Sequence, residues 1–333
     1  MNGLFPSNSM ETNIGSIRDT IYSCMACWSL HLAYRKHDDN HGKAYELGQA
    51  AVMGMQGILS CWMRQSNHLE IFKHKQGANE PLHSIFDMDT SAAVKSTDHY
   101  NHLQIDVVSL YIMFLVQCIS SGLEIISTID EVNFVQNLVY YVERSYRIPD
   151  FGMWERGSTA NNGTCELNAS SIGMAKAALE AIGGFNLFGK GHGSAWSKIM
   201  VDTDAHNRNR EILETMIPRE SPSRRIDFAT FISISFPAFS LSNGTDHLAH
   251  KLYNKTKKEI MSNLSSFGEY GFKRFKCDGY GNALETTVDG RFYHEGKTLE
   301  FDGIENEWPM FYLYMVIDGV FLGDDSQVFI VII

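Results

Sequence analysis

Apolar residues recur at helical spacing along most of the chain. The first such stripe predicts a helix that ends near residue 36, and the second predicts a helix over residues 43–65. The residues on the two stripes are Ile17, Ile21, Cys24, Trp28 and Leu32, then Leu47, Ala51, Met55, Ile58 and Trp62. Two amphipathic helices joined by a short turn predict an antiparallel pair.

The same alternation of helix and loop continues along the sequence. Helices are predicted over residues 102–126, 130–147, 168–182, 195–216, 245–266 and 305–322. Asp130 is the expected N-cap of one of them, because its side chain can accept a hydrogen bond from an orphan backbone amide. Three long connections remain, at 66–101, 148–167 and 267–304. The pattern therefore predicts an all-α array of helix pairs with short β-rich excursions in long loops.

Charge and composition disfavour two classes of protein. The net charge is −11, whereas a nucleic-acid-binding protein normally presents a basic face. No run of about 18 apolar residues occurs, so no membrane span is expected. The polar N-terminus lacks an apolar signal core, which predicts a cytoplasmic protein whose six cysteines are free thiols. Nothing in the sequence indicates a cofactor.

Cys24 and Cys27 form a C-x-x-C pair within the first apolar stripe. A structural metal site would need a second ligand pair at suitable spacing, and the other four cysteines do not supply one. We therefore expect core packing at this pair and no metal site.

The 148–167 connection carries the strongest candidate chemistry. Trp154 stands beside Glu155, with Asp150, Arg156 and Glu166 nearby. A carboxylic acid buried against an indole has a raised pKa, which suits the general acid of a glycosidase, and the indole offers a flat face to a sugar ring. The alternative is that Trp154 fills the core while Glu155 pairs with a basic residue. The spacing alone favours this alternative, because an adjacent tryptophan and glutamate are a weak signal of an active site.

Two further pairs of polar residues lie at predicted helix starts. Arg18 and Asp19 could hydrogen-bond sugar hydroxyls, although the helix dipole alone favours an aspartate in a first turn. Gln104 and Asp106 also suit hydroxyl recognition, and helix capping explains them equally well.

Several runs resemble the regulatory α and β subunits of the phosphorylase kinase family. They are Leu32–Lys36, Asp130–Arg144, Asn168–Glu180 and Ile317–Phe321. Narrower features favour the β branch, namely Ile148–Gly157, Gly184–Gly189, Val201–Arg210 and Pro218–Ser221. The similarity is close to continuous from Gly3 to about Val328.

This resemblance implies a glucoamylase-like (α/α)₆ toroid in a regulatory, non-catalytic subunit. The expected partners are the α, γ and δ subunits, where γ is the kinase that activates glycogen phosphorylase and δ is calmodulin. The family is also expected to be lipid-anchored at the cytoplasmic face of the plasma membrane through a C-terminal cysteine motif. That motif is absent from this chain, which ends in Ile332 and Ile333.

The glucoamylase resemblance also assigns site residues. Glu155, after Trp154, matches the general acid, and Arg18 with Asp19 matches a sugar-binding pair. Gln104 and Asp106 match polar cleft residues more loosely. Two features depart from the pattern. Ser16 stands where an aromatic residue is usual, and the base required for inverting hydrolysis is expected in helices beyond this sequence.

The expected organisation is one glucoamylase-like domain over residues 1–328, truncated at both ends, followed by an atypical apolar tail at 329–333. The favoured function is a regulatory scaffold in glycogen metabolism. The alternative is a glucan-binding or glucan-hydrolysing protein with Glu155 as its general acid. Binding of calmodulin alone has less support, because only Lys251–Lys258 approaches a basic amphipathic helix.

Overall fold

Helices dominate the computed structural model, which describes residues 2–7, 12–37, 42–76, 81–94, 103–189, 195–241, 247–265, 270–288 and 292–332, with backbone alone at 155–157 and 329–332. The described residues form twelve α-helices. They are α1 (Ile17–His37), α2 (Lys43–Met63), α3 (Ser66–Lys75), α4 (Ile105–Ser120), α5 (Ile129–Ser145), α6 (Arg156–Ala160), α7 (Ala169–Ile182), α8 (Thr203–Met216), α9 (Phe228–Ile234), α10 (His247–Leu264), α11 (Met310–Leu322) and α12 (Asp325–Ile332).

Four short strands form two separate antiparallel pairs. β1 (Ile14–Ser16) pairs with β2 (Ile85–Asp87), and β3 (Phe272–Lys273) pairs with β4 (Glu307–Trp308). Single turns of 3₁₀ helix occur at Met153–Glu155, Ala195–Ser197 and Lys297–Phe301. β2, β3 and the 3₁₀ turns at Met153–Glu155 and Lys297–Phe301 lie in the predicted long connections, whereas the other strands and turns lie outside them.

The chain divides into two compact units. Unit 1 comprises Met1–Ser145 and Ala178–His206, and unit 2 comprises Tyr146–Ala177 and Asn207–Ile333. In unit 1, α1 packs against α2 and α4, and α5 packs against α3 and α4. In unit 2, α9 packs against α10, and α11 packs against α12.

The α1–α2 pair of unit 1 is held by apolar side chains and by small residues that let the helices approach closely. Ile21 and Ile58 are fully buried. A Cβ added at Gly48 would lie 2.8 Å from His31 Nδ1, and one added at Gly54 would lie 2.3 Å from Cys24 Sγ. Larger side chains at either glycine would therefore push the two helices apart.

Cys24 belongs to the core of this pair. Burial, with a smaller contribution from the neighbouring Cys27 thiol, raises the pKa of the Cys24 thiol to about 12. A thiol that stays protonated packs as a small apolar side chain. This is the packing role expected for the C-x-x-C residues, although Cys27 itself is only half-buried.

The core of unit 2 combines apolar and polar contacts. Its apolar cluster comprises Ala169, Ile172, Leu213, Ile217, Ile234, Leu241 and Ala249, from α7 to α10. Nearby, the buried Asp318 of α11 accepts hydrogen bonds from Ser235, Tyr253 and Lys257. Burial would raise the pKa of Asp318, but these hydrogen bonds together lower it, so the carboxylate is ionised and joins several helices.

Most predicted helices are confirmed with shifted ends, but some details of the prediction are wrong. Asp130 does not cap α5: Thr128 Oγ1 accepts from the amide of Glu131, whose carboxylate accepts from the amides of Ser127 and Thr128. This reciprocal arrangement satisfies more orphan amides than Asp130 alone could. The predicted connection 66–101 contains the helix α3 within its described part. The sequence also did not predict α9.

Residues 329–332, predicted as an apolar tail, have the helical backbone that ends α12. The boundary at residue 328 and the single domain over 1–328 stay predictions. Among the described residues, no helix combines the length and the apolar character needed to cross a bilayer.

Candidate functional site

The sequence-predicted site residues divide between the two units. In unit 1, the structure joins Arg18 and Asp106, which the sequence had placed in separate pairs. Arg18 Nη2 lies 3.0 Å from Asp106 Oδ2, and Arg18 Nε donates to the same oxygen at 3.2 Å. Asp106 is almost completely buried, so this ion pair is well shielded from water. It fixes the start of α1 against the start of α4.

The local fold explains why Arg18 has this orientation. Ser16 ends β1 and caps α1, because its Oγ accepts from the amide of Asp19 at 3.3 Å. The amide of Ile17 donates to the carbonyl of Ser84 at 2.8 Å, which anchors the same turn. The serine that replaces the expected aromatic residue therefore serves as the helix cap.

Asp19 and Gln104 differ from this pair in their surroundings. Asp19 is exposed in the first turn of α1, where the helix dipole favours a carboxylate. Gln104 is buried at the N-cap position of α4, but its side chain makes no capping hydrogen bond. Capping therefore does not explain Gln104.

In unit 2, Trp154 adopts a backbone conformation that is rare for a large residue. Its φ is 61° and its ψ is 20°, which is the left-handed region. Such strain costs on the order of 1–3 kcal/mol and clusters at functional sites. The half-buried indole lies 5.7 Å from the Phe311 ring, between centroids. Trp154 thus packs on one side and keeps part of its ring exposed.

Arg274 lies among four aromatic rings that include Trp154. Its guanidinium carbon is 6.0 Å from the Trp154 ring centroid and 5.1–5.6 Å from those of Trp308, Tyr280 and Phe275. Asp278 accepts from Arg274 Nε at 2.7 Å and balances its charge. Cation–π attraction in this buried setting stabilises the indole orientation.

A buried polar network holds the loop that carries Trp154. Asp150 Oδ1 accepts from Asn168 Nδ2 at 2.7 Å, and Asp150 Oδ2 accepts from Ser171 Oγ at 2.6 Å. Gly152 has a φ of 71°, and a Cβ there would lie 3.2 Å from Asn168 and Arg224 atoms. The start of the loop is therefore fixed by side chains of α7 and its N-terminal flank.

The other end of the loop is held through Glu166. Its carboxylate accepts from Ser221 Oγ at 2.9 Å, from the amide of Ser223 at 3.0 Å and from the hydroxyl of Ser223. The fully buried Glu220 accepts from the amide of Ser170 at 3.0 Å and from Thr230 Oγ1 at 2.6 Å. Two carboxylates thus join the 218–224 turn to its neighbours.

Arg224 and Asp227 complete the network. Arg224 Nη1 donates to Asp227, and Arg224 Nη2 donates to Asn168 Oδ1 at 2.5 Å. Asp227 also caps α9 by accepting from the amide of Ala229 at 2.9 Å. Burial raises the pKa of Asp227 to about 7, against the opposing effect of Arg224.

Sequence reasoning missed most of these network residues. One signal was available, because an aspartate directly before an apolar run is typical of a helix start. It would have found Asp227 and α9. The contacts of Glu220 and Asn168 join residues about fifty positions apart, so local sequence carries no signal for them.

The described part of the loop offers a stacking surface at Trp154. The backbone of Glu155 ends the 3₁₀ turn, but its side chain lies outside the described residues. The exposed part of the indole can stack on an apolar ring face, as sugar rings present. The roles assigned to Glu155 and to the pairs in unit 1 stay predictions.

One group of possible metal ligands occurs among the described residues, namely Cys277, Asp302 and Glu305. Glu305 is already engaged, because Oε2 lies 2.6 Å from Lys273 Nζ and Oε1 accepts from the amide of Cys277 at 2.7 Å. The lysine supplies the positive charge that a cation would otherwise supply.

Comparison with known proteins identifies the family. Residues 7–329 match the sequence model of the glycosyl hydrolases family 15. The chain belongs to glycosyl hydrolase family 15. The domain of this family is an (α/α)₆ toroid, so the predicted fold class is confirmed.

Within family 15, the chain is similar to regulatory subunits of phosphorylase kinase. It is 53% identical over 326 residues to the probable phosphorylase b kinase regulatory subunit beta of Drosophila melanogaster. It is 45% identical over 330 residues to the liver α subunit of Takifugu rubripes and 44% identical to the skeletal muscle α subunit of Oryctolagus cuniculus. The predicted resemblance, with β favoured over α, is confirmed.

These matches cover 98% of this chain but a smaller share of the relatives. The chain spans 29% of the length of the Drosophila relative and 26% of each α subunit.

Proposed function

We propose that this chain forms part of a β-type regulatory subunit of phosphorylase kinase and is not itself catalytic. The observation that carries the proposal is the 53% identity over 98% of the chain to the Drosophila protein named as that regulatory subunit. The lower identities to α subunits, 45% and 44%, favour the β branch. The role is control of the kinase that activates glycogen phosphorylase.

The partners in this proposal are the α, γ and δ subunits, where γ is the catalytic chain and δ is calmodulin. The location is the cytoplasm. Lipid attachment and peripheral membrane association belong to the same proposal, because the resemblance implies them for the complete subunits.

Co-purification tests the regulatory role. The tagged chain is co-expressed with a γ-type kinase chain and calmodulin, and we expect the kinase to be retained on the affinity resin through repeated washes. The γ-type chain expressed with an unrelated tagged helical domain serves as the control. Equal recovery of the kinase in both samples contradicts the proposal.

A second candidate function is oligosaccharide binding at the Trp154 loop. The half-buried indole, its left-handed backbone and the buried network behind it support a preorganised stacking surface. The family 15 match favours a glucan as the ligand. Binding without turnover is compatible with a regulatory role.

Maltooligosaccharides separate binding from hydrolysis. We expect maltopentaose to raise the Tm of the chain without releasing glucose, and Trp154→Ala to remove the shift. Trp196→Ala is the matched control, because that indole is 82% exposed and lies in unit 1. Glucose release that Glu155→Gln abolishes would overturn the non-catalytic assignment. A Tm shift that survives Trp154→Ala would exclude this loop as the site.

A further inference from the structure

We propose that a cavity in unit 2, apart from the Trp154 indole, binds a phosphorylated monosaccharide. Its volume is about 500 Å³, within the range of small-molecule sites. Its walls come from the 223–226 segment, the C-terminal half of α10, the 275–277 segment and the 3₁₀ helix that contains Thr298.

Positive charge dominates the lining of this cavity, although the chain as a whole has a net charge of −11. Arg224, Arg225 and Lys276 line it, and Glu259 is the acidic residue among the described lining residues. The side chains of Arg225 and Lys276 are exposed. Guanidinium and ammonium groups arranged around a cavity favour a phosphate group, which accepts several charge-assisted hydrogen bonds.

Arg224 contributes a fixed positive charge to the lining. The residue is only 7% exposed, and its Nε has no hydrogen-bond partner among the described residues. Asp227 and Asn168 hold the two Nη atoms, so the guanidinium orientation is fixed before any ligand arrives. The donors that can reach a phosphate group are therefore those of the exposed Arg225 and Lys276, while Arg224 adds positive charge nearby.

The lining residues of α10 suit sugar hydroxyls. Glu259 and Asn263 lie one turn apart on α10, and Asn263 Oδ1 lies 3.4 Å from Lys276 Nζ. Carboxylate and amide groups recognise hydroxyls, and Thr298 adds a hydroxyl group to the lining. The Glu259 charge disfavours ligands with several phosphates, so one phosphate and several hydroxyls fit the lining best.

This proposal does not depend on the regulatory role, because it rests on the lining of one cavity. Isothermal titration of the 333-residue chain compares glucose 6-phosphate, inorganic phosphate and glucose as ligands. We expect glucose 6-phosphate to bind in 1:1 stoichiometry, at least about tenfold more tightly than either fragment. The double variant Arg225→Gln/Lys276→Gln lacks both exposed cations. It should bind glucose 6-phosphate more weakly than the unaltered chain, by a factor of about ten or more.

Two additional variants make the test specific. Lys255→Gln removes an exposed cation of α10 that does not line the cavity, so its binding should match that of the unaltered chain. Glu259→Gln removes a negative charge that repels phosphate. This variant should therefore bind inorganic phosphate more tightly and show a smaller preference for the sugar phosphate. Thermal unfolding of each variant verifies that it is folded.

Three results would overturn the proposal. They are no saturable binding of glucose 6-phosphate, unchanged affinity in the folded double variant, and inorganic phosphate binding as tightly as the sugar phosphate. The last result would identify a simple anion site that does not recognise sugar.

Discussion

The α1–α2 pair of unit 1 and the Trp154 loop of unit 2 are both well packed, but by different means. The helix pair is joined by fully buried apolar residues such as Ile21 and Ile58 and by close approach at Gly48 and Gly54. The loop is joined to its surroundings by a network of buried charged and polar side chains. Apolar contacts depend on volume, whereas the polar network depends on every donor having its acceptor.

This difference predicts how each region responds to substitution. In the helix pair, loss of a methyl group removes contacts but leaves no polar group unsatisfied. In the loop, loss of one side chain of the network leaves its partners buried without a hydrogen-bond donor or acceptor. The network should therefore be the more sensitive region, although it contains less apolar surface.

Arg224→Ala is expected to have the largest effect. The substitution leaves the buried Asp227 carboxylate without its cation and Asn168 Oδ1 without its donor. Breaking a buried pair in this way costs about 3–5 kcal/mol of unfolding free energy, measured by urea denaturation. Arg225→Ala is the matched control: this neighbouring side chain is exposed, and its loss should change stability by less than about 0.5 kcal/mol. Equal effects of the two variants would show that the network does not stabilise unit 2.

The pH dependence of stability offers a second test of the network. The pKa of Asp227 is raised to about 7 by burial and by Glu220, while Arg224 and Arg274 oppose the rise. Between the unfolded-state pKa near 4 and about 7, the folded chain therefore retains a proton that the unfolded chain has lost. The contribution of this group to stability is present below pH 4 and is lost as the pH rises to about 7.

Comparison with Asp227→Asn isolates that contribution. Asparagine can still cap α9 but does not titrate. We expect the unfolding free energy of the unaltered chain, relative to that of the variant, to fall as the pH rises from 4 to 7. The lowered pKa of Asp318 acts in the opposite direction in both proteins, so it cancels in the difference. A difference that is constant with pH would mean that Asp227 is already ionised at pH 4.

The helical framework could be predicted from sequence because its signal is local. The stripe of Ile17, Ile21 and Cys24 repeats within the length of one helix, and burial of that face follows from its spacing. The cap of α5 was assigned to the wrong residue, because Asp130 and Thr128 are both good cap residues and only the contacts of Glu131 decide between them. The short α9 has seven residues and too few turns for a clear period.

The candidate site could be predicted only where residue type indicates chemistry. Trp154 was found because an indole next to a carboxylic acid is a recognisable pair, but its left-handed backbone and its contact with Arg274 depend on the tertiary fold. The pairing of Arg18 with Asp106 joins positions 88 residues apart. Such contacts follow from how helices meet, which a single sequence does not specify.

Ile58→Val is expected to have the smallest effect. Ile58 is fully buried in α2, and removing one methyl group leaves a small cavity among apolar neighbours. The expected loss is about 0.5–1.5 kcal/mol of unfolding free energy. The same change at Ile71, which is 40% exposed on α3, should cost less than about 0.5 kcal/mol. If Ile58→Val destabilised the chain as much as Arg224→Ala, the helix pair would be as intolerant of substitution as the polar network, and the contrast between the two regions would be lost.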